Sequence, residues 1–502
     1  MVASCAAGAL LATSPAFGHP LEIVPSDDRV YQDLARLAAQ GVTPMWATSA
    51  RPLTRLEVAR LLAWALDRLV VRPPVAPGDL ETLERLVLAF SDELPLVGYR
   101  VVEPPQGFSA QAITGWGFQF KRAAVARVES GVAPWFETQT GSAFRFEVTA
   151  TMGLGPALAV SSRVQEPVAP QFTLPVVDRF YLSTAGEPLR AQVGTMTHWW
   201  GPGDRGAFLL SDNAGALESI RLSAEWPRLR LVKLVAPLSV SSQRYLYAMR
   251  ADWLATDTLR LGFGEAMVAS GDVYLPYVFA PVPLVNYAVG LWVRQQQQGF
   301  PDSYNAAVDF DWRIGGGTML YGELYVDKLA SGGSPFPSTG GATAGLFLGP
   351  VLGDPRNDLR LEHSAATNWI YATAGGTNNY VRGGKAMGHW CAPDCELYSA
   401  ELSHRIDPRA TLWTGYDLVR KGAGQLGQVW ANPTDAWTNL YLSGVIETTQ
   451  AWHLRYSWVP GGPGPEFRYD IGVTWSFVSN AGHVTGQTQQ NVFFWWEGRY
   501  EW

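Results

Sequence analysis

The sequence predicts an all-β transmembrane outer-membrane barrel of about 18 antiparallel strands, preceded by a small periplasmic α-helical domain. Three observations predict it. Apolar and polar residues alternate with a period of two from Gly107 to the C-terminus. The chain carries 21 Trp, 19 Tyr and 51 Gly among 502 residues, and only 17% of it is charged. Past the N-terminus, no stretch approaches the roughly 20 continuous apolar residues of a membrane helix. Any crossing is therefore made by strands.

The last strand shows the pattern most clearly. Val492, Phe494, Trp496, Gly498, Tyr500 and Trp502 share one face, while Glu497, Arg499 and Glu501 fall on the other, because successive strand side chains point to opposite sides. A soluble protein needs a second layer over such an oily face. A barrel turns it to acyl chains and places aromatic girdles at the two interfaces. The alternative is an edge strand of a soluble β-sandwich. A mean hydropathy of −0.02 does not decide between them, since alternation hides the lipid face in the average.

Taken in order, residues 1–18 read as a signal peptide: an apolar run ending in the small residues Ala16 and Gly18. No Lys or Arg precedes that run. Residues 25–95 read as a helical domain. Ser26 is a candidate cap for a helix burying Val30, Leu34, Leu37 and Ala38, with Gly41 as its stop. Thr54 and Glu57 have capping-box spacing, Leu53 and Val58 that of a hydrophobic staple. The helix they start buries Val58, Leu61, Leu62, Ala65, Leu66 and Leu69. Asp79 is a candidate cap for a third helix that turns Leu80, Leu83, Leu86, Val87 and Phe90 inward. The runs Val30–Gly41 and Arg51–Leu62 together resemble one repeat of the S-layer-homology type. That resemblance implies a wall-polymer or peptidoglycan partner for residues 25–95. A structural cap on the barrel is the other reading.

Residues 100–502 carry the barrel pattern. Phe108 to Lys121 alternate, as do Phe144 to Met152, with Arg145, Glu147, Thr149 and Thr151 on the polar side. Leu320, Gly322, Leu324 and Val326 oppose Tyr321, Glu323, Tyr325 and Asp327. Leu440, Leu442, Gly444 and Ile446 read as a further strand, opposite Tyr441, Ser443, Val445 and Glu447. Ionisable groups fall opposite the apolar face, as a polar lumen requires. Barrels of this kind favour even strand numbers, hence 18. Long and short connections do not alternate cleanly near Ile406–Arg409 and Lys421–Thr434, so the sequence leaves open which loops face outward.

Composition also excludes. A net charge of −7 and a pI near 5.6 argue against nucleic acid, which wants a basic stripe. The three cysteines are Cys5, in the leader, and the close pair Cys391 and Cys395. In an oxidising compartment the pair most simply forms a small loop disulfide. A metal site joining His389 to both sulfurs lacks a clear fourth ligand, and no cofactor is expected.

The most distinctive segment runs from Val193 to Ala214 and contains Trp200-Gly-Pro-Gly203 followed by Leu209-Leu-Ser-Asp-Asn-Ala214. It delivers two tryptophans into a glycine–proline turn and then into a polar loop. Both halves, at their separation, resemble the signature of the Wzi-type capsule-assembly proteins. The layout of leader, helical region, barrel and aromatic terminus agrees. The resemblance implies a non-enzymatic outer-membrane barrel acting as a surface lectin that retains capsular polysaccharide or exopolysaccharide. Its helical part would lie in the periplasm and its outer wall would meet membrane lipid. Trp199, Trp200, Asp204, Arg205, Asp212 and Asn213 supply rings and planar polar groups suited to sugar within one loop. The same residues also suit a turn that plugs or braces the barrel, with Trp packing and Asn capping, and that reading is the stronger of the two. Asn378, Asn379, Tyr380, Val381 and Arg382 with His389 and Trp390 form a second candidate cluster.

Enzymatic readings find no footing. Seven histidines are scattered, without a His-Glu-x-x-His pair, a Gly-x-Ser-x-Gly elbow or a phosphate-binding glycine loop. Glu396 and Glu401 have opposite strand parity and do not converge as an acid–base pair. The runner-up function is a diffusion porin tethered to the wall by its helical start.

Overall fold

The computed structural model describes residues 19–501 except 27, 46–48, 72–76, 100–115, 132–140, 155–157, 168–175, 187, 240, 280–302, 329–336, 352, 374–375, 408 and 460–465. The expected signal peptide, the start of the Phe108–Lys121 strand and Trp502 lie outside the described residues. Among the described residues no helix is long and apolar enough to cross a membrane.

Eighteen antiparallel strands close into a barrel. The first six are β1 (Trp116–Gly131), β2 (Gly141–Leu154), β3 (Leu158–Pro167), β4 (Val176–Ala185), β5 (Leu189–Met196) and β6 (Leu217–Trp226). Next come β7 (Leu229–Ser239), β8 (Arg244–Thr256), β9 (Leu259–Ser270), β10 (Ser303–Gly315), β11 (Thr318–Lys328) and β12 (Thr339–Leu348). The last six are β13 (Asn357–Ala366), β14 (Cys395–Arg405), β15 (Ala410–Lys421), β16 (Glu447–Trp458), β17 (Glu466–Ser479) and β18 (Thr488–Glu501). Pairing of β18 with β1, Trp496 opposite Val128 and Arg499 opposite Val125, closes the ring. Closure matters because it leaves no strand edge with unpaired backbone groups in a medium that offers no hydrogen bonds.

The two-residue rhythm decides which side each residue faces. On β11, Leu324 is exposed while Tyr321, Glu323, Tyr325 and Asp327 are buried. On β18, Val492, Phe494 and Tyr500 are exposed and Asn491 is buried. Outward aromatics gather in two belts, as the interfaces of a membrane require. Tyr416, Trp452 and Trp475 form one, with successive ring centroids 5.2 and 5.4 Å apart. Trp458, Phe467, Tyr469 and Trp496 belong to the other, with ring centroids 4.1 to 6.3 Å apart.

Most connections are short at one end of the barrel and long at the other, the turn between β7 and β8 excepted. Residues 186–188, 227–228, 257–258, 316–317, 349–356 and 406–409 are the short ones at one end. Residues 197–216 and 422–446, with the described parts of 271–279 and 367–394, lie at the other. The alternation that the sequence obscured near 406–409 is clean: Asp407 closes a tight turn by accepting from the Arg409 and Ala410 N–H groups at 2.7 and 2.9 Å.

Helices α1 (Arg29–Ala39), α2 (Arg55–Val71) and α3 (Pro77–Ala89) sit at the short-turn end. Arg36 donates to the Pro355 carbonyl at 2.7 Å and pairs with Asp79 and Asp358. Gln40 donates to the Gly349 carbonyl, and Arg313 donates to that of Ala38. Leu34, Leu37, Leu53, Val58, Leu62, Leu83, Leu86 and Phe90 share one apolar core. The expected capping box is present, the Thr54 N–H donating to Glu57 Oε2 at 2.7 Å and the Glu57 N–H to Thr54 Oγ1 at 3.2 Å.

Three local expectations are corrected. The cap of α1 is Asp28, whose carboxylate accepts from the Val30 N–H, while Ser26 donates to Thr197 across the domain boundary. Helix α3 starts at Pro77, a residue suited to a first turn, which places Asp79 inside the helix and leaves Leu80 exposed. The strand expected at Leu440–Glu447 begins only at Glu447. Its first part is a loop, held by the Asp394 carboxylate at Ser443 and bent through positive φ at Leu442 and Gly444.

Candidate functional site

Residues 197–216 leave the wall after the eight-residue strand β5 and fold into the lumen. Inward carboxylates on the far wall catch their backbone. Glu323 accepts from the Phe208 and Leu209 N–H groups at 2.9 and 3.1 Å. Glu362 accepts from the Asp204 and Arg205 N–H groups at 2.7 and 3.0 Å, and from the Tyr321 hydroxyl. A side-chain acceptor on a buried N–H leaves a costly orphan when it is removed. These glutamates therefore fix the segment's path.

Side chains of the segment complete the hold. Asp204 pairs with Arg360. Arg205 donates to Ser399 Oγ at 2.9 Å and pairs with Asp417 at 3.1 Å, tying β14 and β15. The turn is tight enough to require glycine: a Cβ on Gly203 would meet the Gly206 carbonyl oxygen at 2.1 Å, and one on Gly206 the His389 ring at 2.4 Å.

Below, Trp199 and Trp200 pair with Arg51 and Ala50 in a two-stranded ribbon, and Gly201 donates to the Ser49 carbonyl. Above, Ser211 bonds the Met387 and Gly388 carbonyls, and Asn213 Nδ2 donates to the Ala386 carbonyl at 2.8 Å. Tyr371 and Tyr380 donate their hydroxyls to the Phe208 and Leu209 carbonyls at 2.8 and 2.6 Å. Trp390 Nε1 donates to the Arg205 carbonyl at 2.7 Å. The segment thus links the N-terminal part to the long loop 367–394 through the inside of the barrel.

The structure brings the six candidate residues into this one plug. Trp200 is fully buried and Trp199 nearly so. Asp204 and Arg205 are engaged in ion pairs, Asn213 holds the loop 367–394, and Asp212 opens a short 3-10 turn capped by Ser211. These contacts favour the bracing role over direct sugar contact. In the second cluster Asn378, Tyr380 and His389 are buried. Arg382 donates to the Ala216 carbonyl at 2.7 Å. Burial, reinforced by the Lys421 charge, pushes the His389 imidazole down to about 3. It stacks on Phe208 with ring centroids 4.8 Å apart. Cys391 and Cys395 are bonded to each other.

What the sequence reading missed is the loop 422–446, which lies over this assembly. Asp394, buried beside the disulfide, accepts from the Gly424 N–H at 3.0 Å and from Ser443 through both N–H and Oγ. Asn368 Nδ2 donates to the Asn439 carbonyl, and Asn432 caps the short helix Pro433–Thr438 through the Asp435 N–H. Held in this way, the loop exposes Gln425, Gln428, Asn432, Trp437 and Tyr441. Asp435 is its one Asp, Glu, Lys or Arg residue. Trp430, half-buried, meets Trp369 edge-on at 5.7 Å and the Lys328 ammonium at 5.6 Å.

Fold and lumen together define a transmembrane outer-membrane β-barrel whose interior is crossed by its own plug. The sequence profile described as capsule assembly protein Wzi matches residues 131–491, and the chain belongs to that family. Among solved structures it is similar to Wzi of Escherichia coli, an outer-membrane protein involved in group 1 capsule assembly and described as a carbohydrate-binding β-barrel. That match has 14% identity and a TM-score of 0.63, covering 95% of this chain and 98% of that one. OprD of Pseudomonas aeruginosa matches at 9% identity and a TM-score of 0.46, over 78% and 96% of the two chains. A loop-deletion form of OmpT from Vibrio cholerae matches at 11% identity and a TM-score of 0.37, over 77% and 100%. No curated protein sequence matches the chain.

Proposed function

We propose that this protein binds capsular polysaccharide or exopolysaccharide and retains it at the cell surface. The plug is the observation that carries this over the porin reading, since a lumen crossed by Glu323-, Glu362- and Arg205-anchored backbone suits holding better than passage. Long loops are extracellular and short turns periplasmic in bacterial barrels. That rule puts the loops 367–394 and 422–446 outside, and α1–α3 in the periplasm as a cap docked on the barrel. Wall-polymer binding by residues 25–95 is a separate proposal, tested by pelleting the intact protein with purified peptidoglycan.

Sugar contact falls to the loop 422–446. Amides and hydroxyls pair with sugar hydroxyls, and an exposed indole such as Trp437 covers apolar C–H faces. The family match and the E. coli neighbour, a carbohydrate-binding barrel, support the same reading. Deleting the gene tests it: polymer should move from cells to medium while total synthesis is unchanged. Undiminished retention would contradict it.

A further inference from the structure

Where the N-terminal segment meets strands β5, β6 and β7, three inward arginines lie together: Arg190, Arg221 and Arg230. Two carboxylates, Glu57 and Glu225, accompany them, and Arg190 pairs with both, at 2.5 and 3.2 Å. Glu57 is further committed to Thr54, whose N–H and hydroxyl it accepts. Arg230 donates to the Ala50 carbonyl at 2.9 Å.

Arg221 is the odd member. Its side chain is 1% exposed, and the charged groups that act on it are Glu57, Arg230 and Arg190. Its Nη1 donates to Gln192 Oε1, directly across the sheet, at 2.6 Å. Among the described residues Nε and Nη2 find no acceptor, and neither do Gln192 Nε2, Arg230 Nε or the Trp199 indole N–H. The buried surroundings are therefore rich in donors, poor in acceptors and of positive charge. An unpaired buried guanidinium is too costly to persist without a counter-charge.

We infer that Arg221 anchors a buried site for a small tetrahedral oxyanion, phosphate or sulfate, that fastens the N-terminal segment to the barrel wall. The unused Nε–Nη2 edge presents two parallel N–H groups, the fork that takes two oxygens of one anion. Gln192 Nε2, on the residue directly opposite across the sheet, is a further donor. A water molecule would satisfy an N–H but bring no charge. A polymer's acidic group would not reach a side chain so deeply covered, which leaves an ion captured as the chain folds. The inference stands apart from the polysaccharide reading.

Thermal unfolding of the intact, detergent-purified protein tests it. Inorganic phosphate or sulfate is added to a phosphate- and sulfate-free chloride buffer at constant ionic strength. The expected result is a saturable rise in unfolding temperature, following the mass-action form for a ligand of the folded state. Arg221→Met should lose the rise altogether. Arg221→Lys, which keeps the charge without the fork, should show a weaker one, and carries the comparison should the Met variant not fold. A non-saturating rise shared equally by wild type and variants is the general salting effect of these ions and overturns the inference. So does an equal response to chloride.

Discussion

Glu323 of the barrel wall holds Phe208 and Leu209 of the plug by their backbone N–H groups, at 2.9 and 3.1 Å. This contact joins residues more than 110 positions apart and sets where the plug crosses the lumen. Replacing Glu323 by Ala leaves two buried N–H groups without acceptors, so unfolding free energy should fall by about 3 kcal/mol. In planar bilayers the wild type should be silent. Glu323→Ala combined with Arg205→Ala should open intermittently, because the second change also frees β14 and β15. A steady open conductance in the wild type would favour the porin.

Trp200 and Trp437 should separate stability from binding. Trp200 is fully buried in the plug, and Trp200→Ala should cost about 3–5 kcal/mol in unfolding measurements. Trp437 is 59% exposed. Trp437→Ala should leave unfolding unchanged while weakening polysaccharide binding about tenfold, roughly 1.4 kcal/mol. Equal binding by wild type and the Trp437 variant would move sugar contact elsewhere.

Asp394 fixes the loop 422–446 through Gly424 and Ser443. In Asp394→Ala these donors lose their shared carboxylate, so the loop should become protease-sensitive and bind polysaccharide more weakly. The barrel strands should keep their hydrogen-exchange protection, since the contact lies beyond their ends. Loss of exchange protection throughout the barrel would show that the contact is global.

His389 makes the assembly of plug and loop 367–394 acid-sensitive. Burial, helped by Lys421, lowers its folded-state value to about 3, against roughly 6.5 for an unfolded histidine. The folded state therefore binds fewer protons between those values. Its contribution is complete above pH 6.5 and is lost as the pH falls toward 3, at about 1.4 kcal/mol per pH unit. His198, buried near Arg221 and also lowered to about 3, acts in the same direction. Unfolding measured from pH 7 to 4.5 should show this slope, and His389→Gln should flatten it. An unchanged slope in the variant would assign the acid sensitivity to other groups.

Much of the fold was legible because a strand's period of two is a local property. Leu324 facing out and Glu323 facing in follow from sequence parity alone, and so does the oily face of Val492 to Tyr500. The capping box at Thr54 and Glu57 is equally local. Partners distant in sequence were not legible. Nothing near Glu323 announces Phe208, and nothing near Trp200 announces that Ala50 lies beside it. The same gap misread residues 440–446, whose alternation mimics a strand until Asp394 claims Ser443. Parity put Glu396 and Glu401 on opposite faces, which the structure keeps: Glu396 pairs with Arg420, while Glu401 lies 3.8 Å from Arg205 of the plug.

The most direct measurement is equilibrium binding of the cells' own purified polysaccharide to the detergent-solubilised protein, with Trp437→Ala and Asp394→Ala alongside. The account predicts saturable binding by the wild type, weakened in both variants while the barrel stays folded. Absence of binding by a wild-type protein shown to be folded would contradict it.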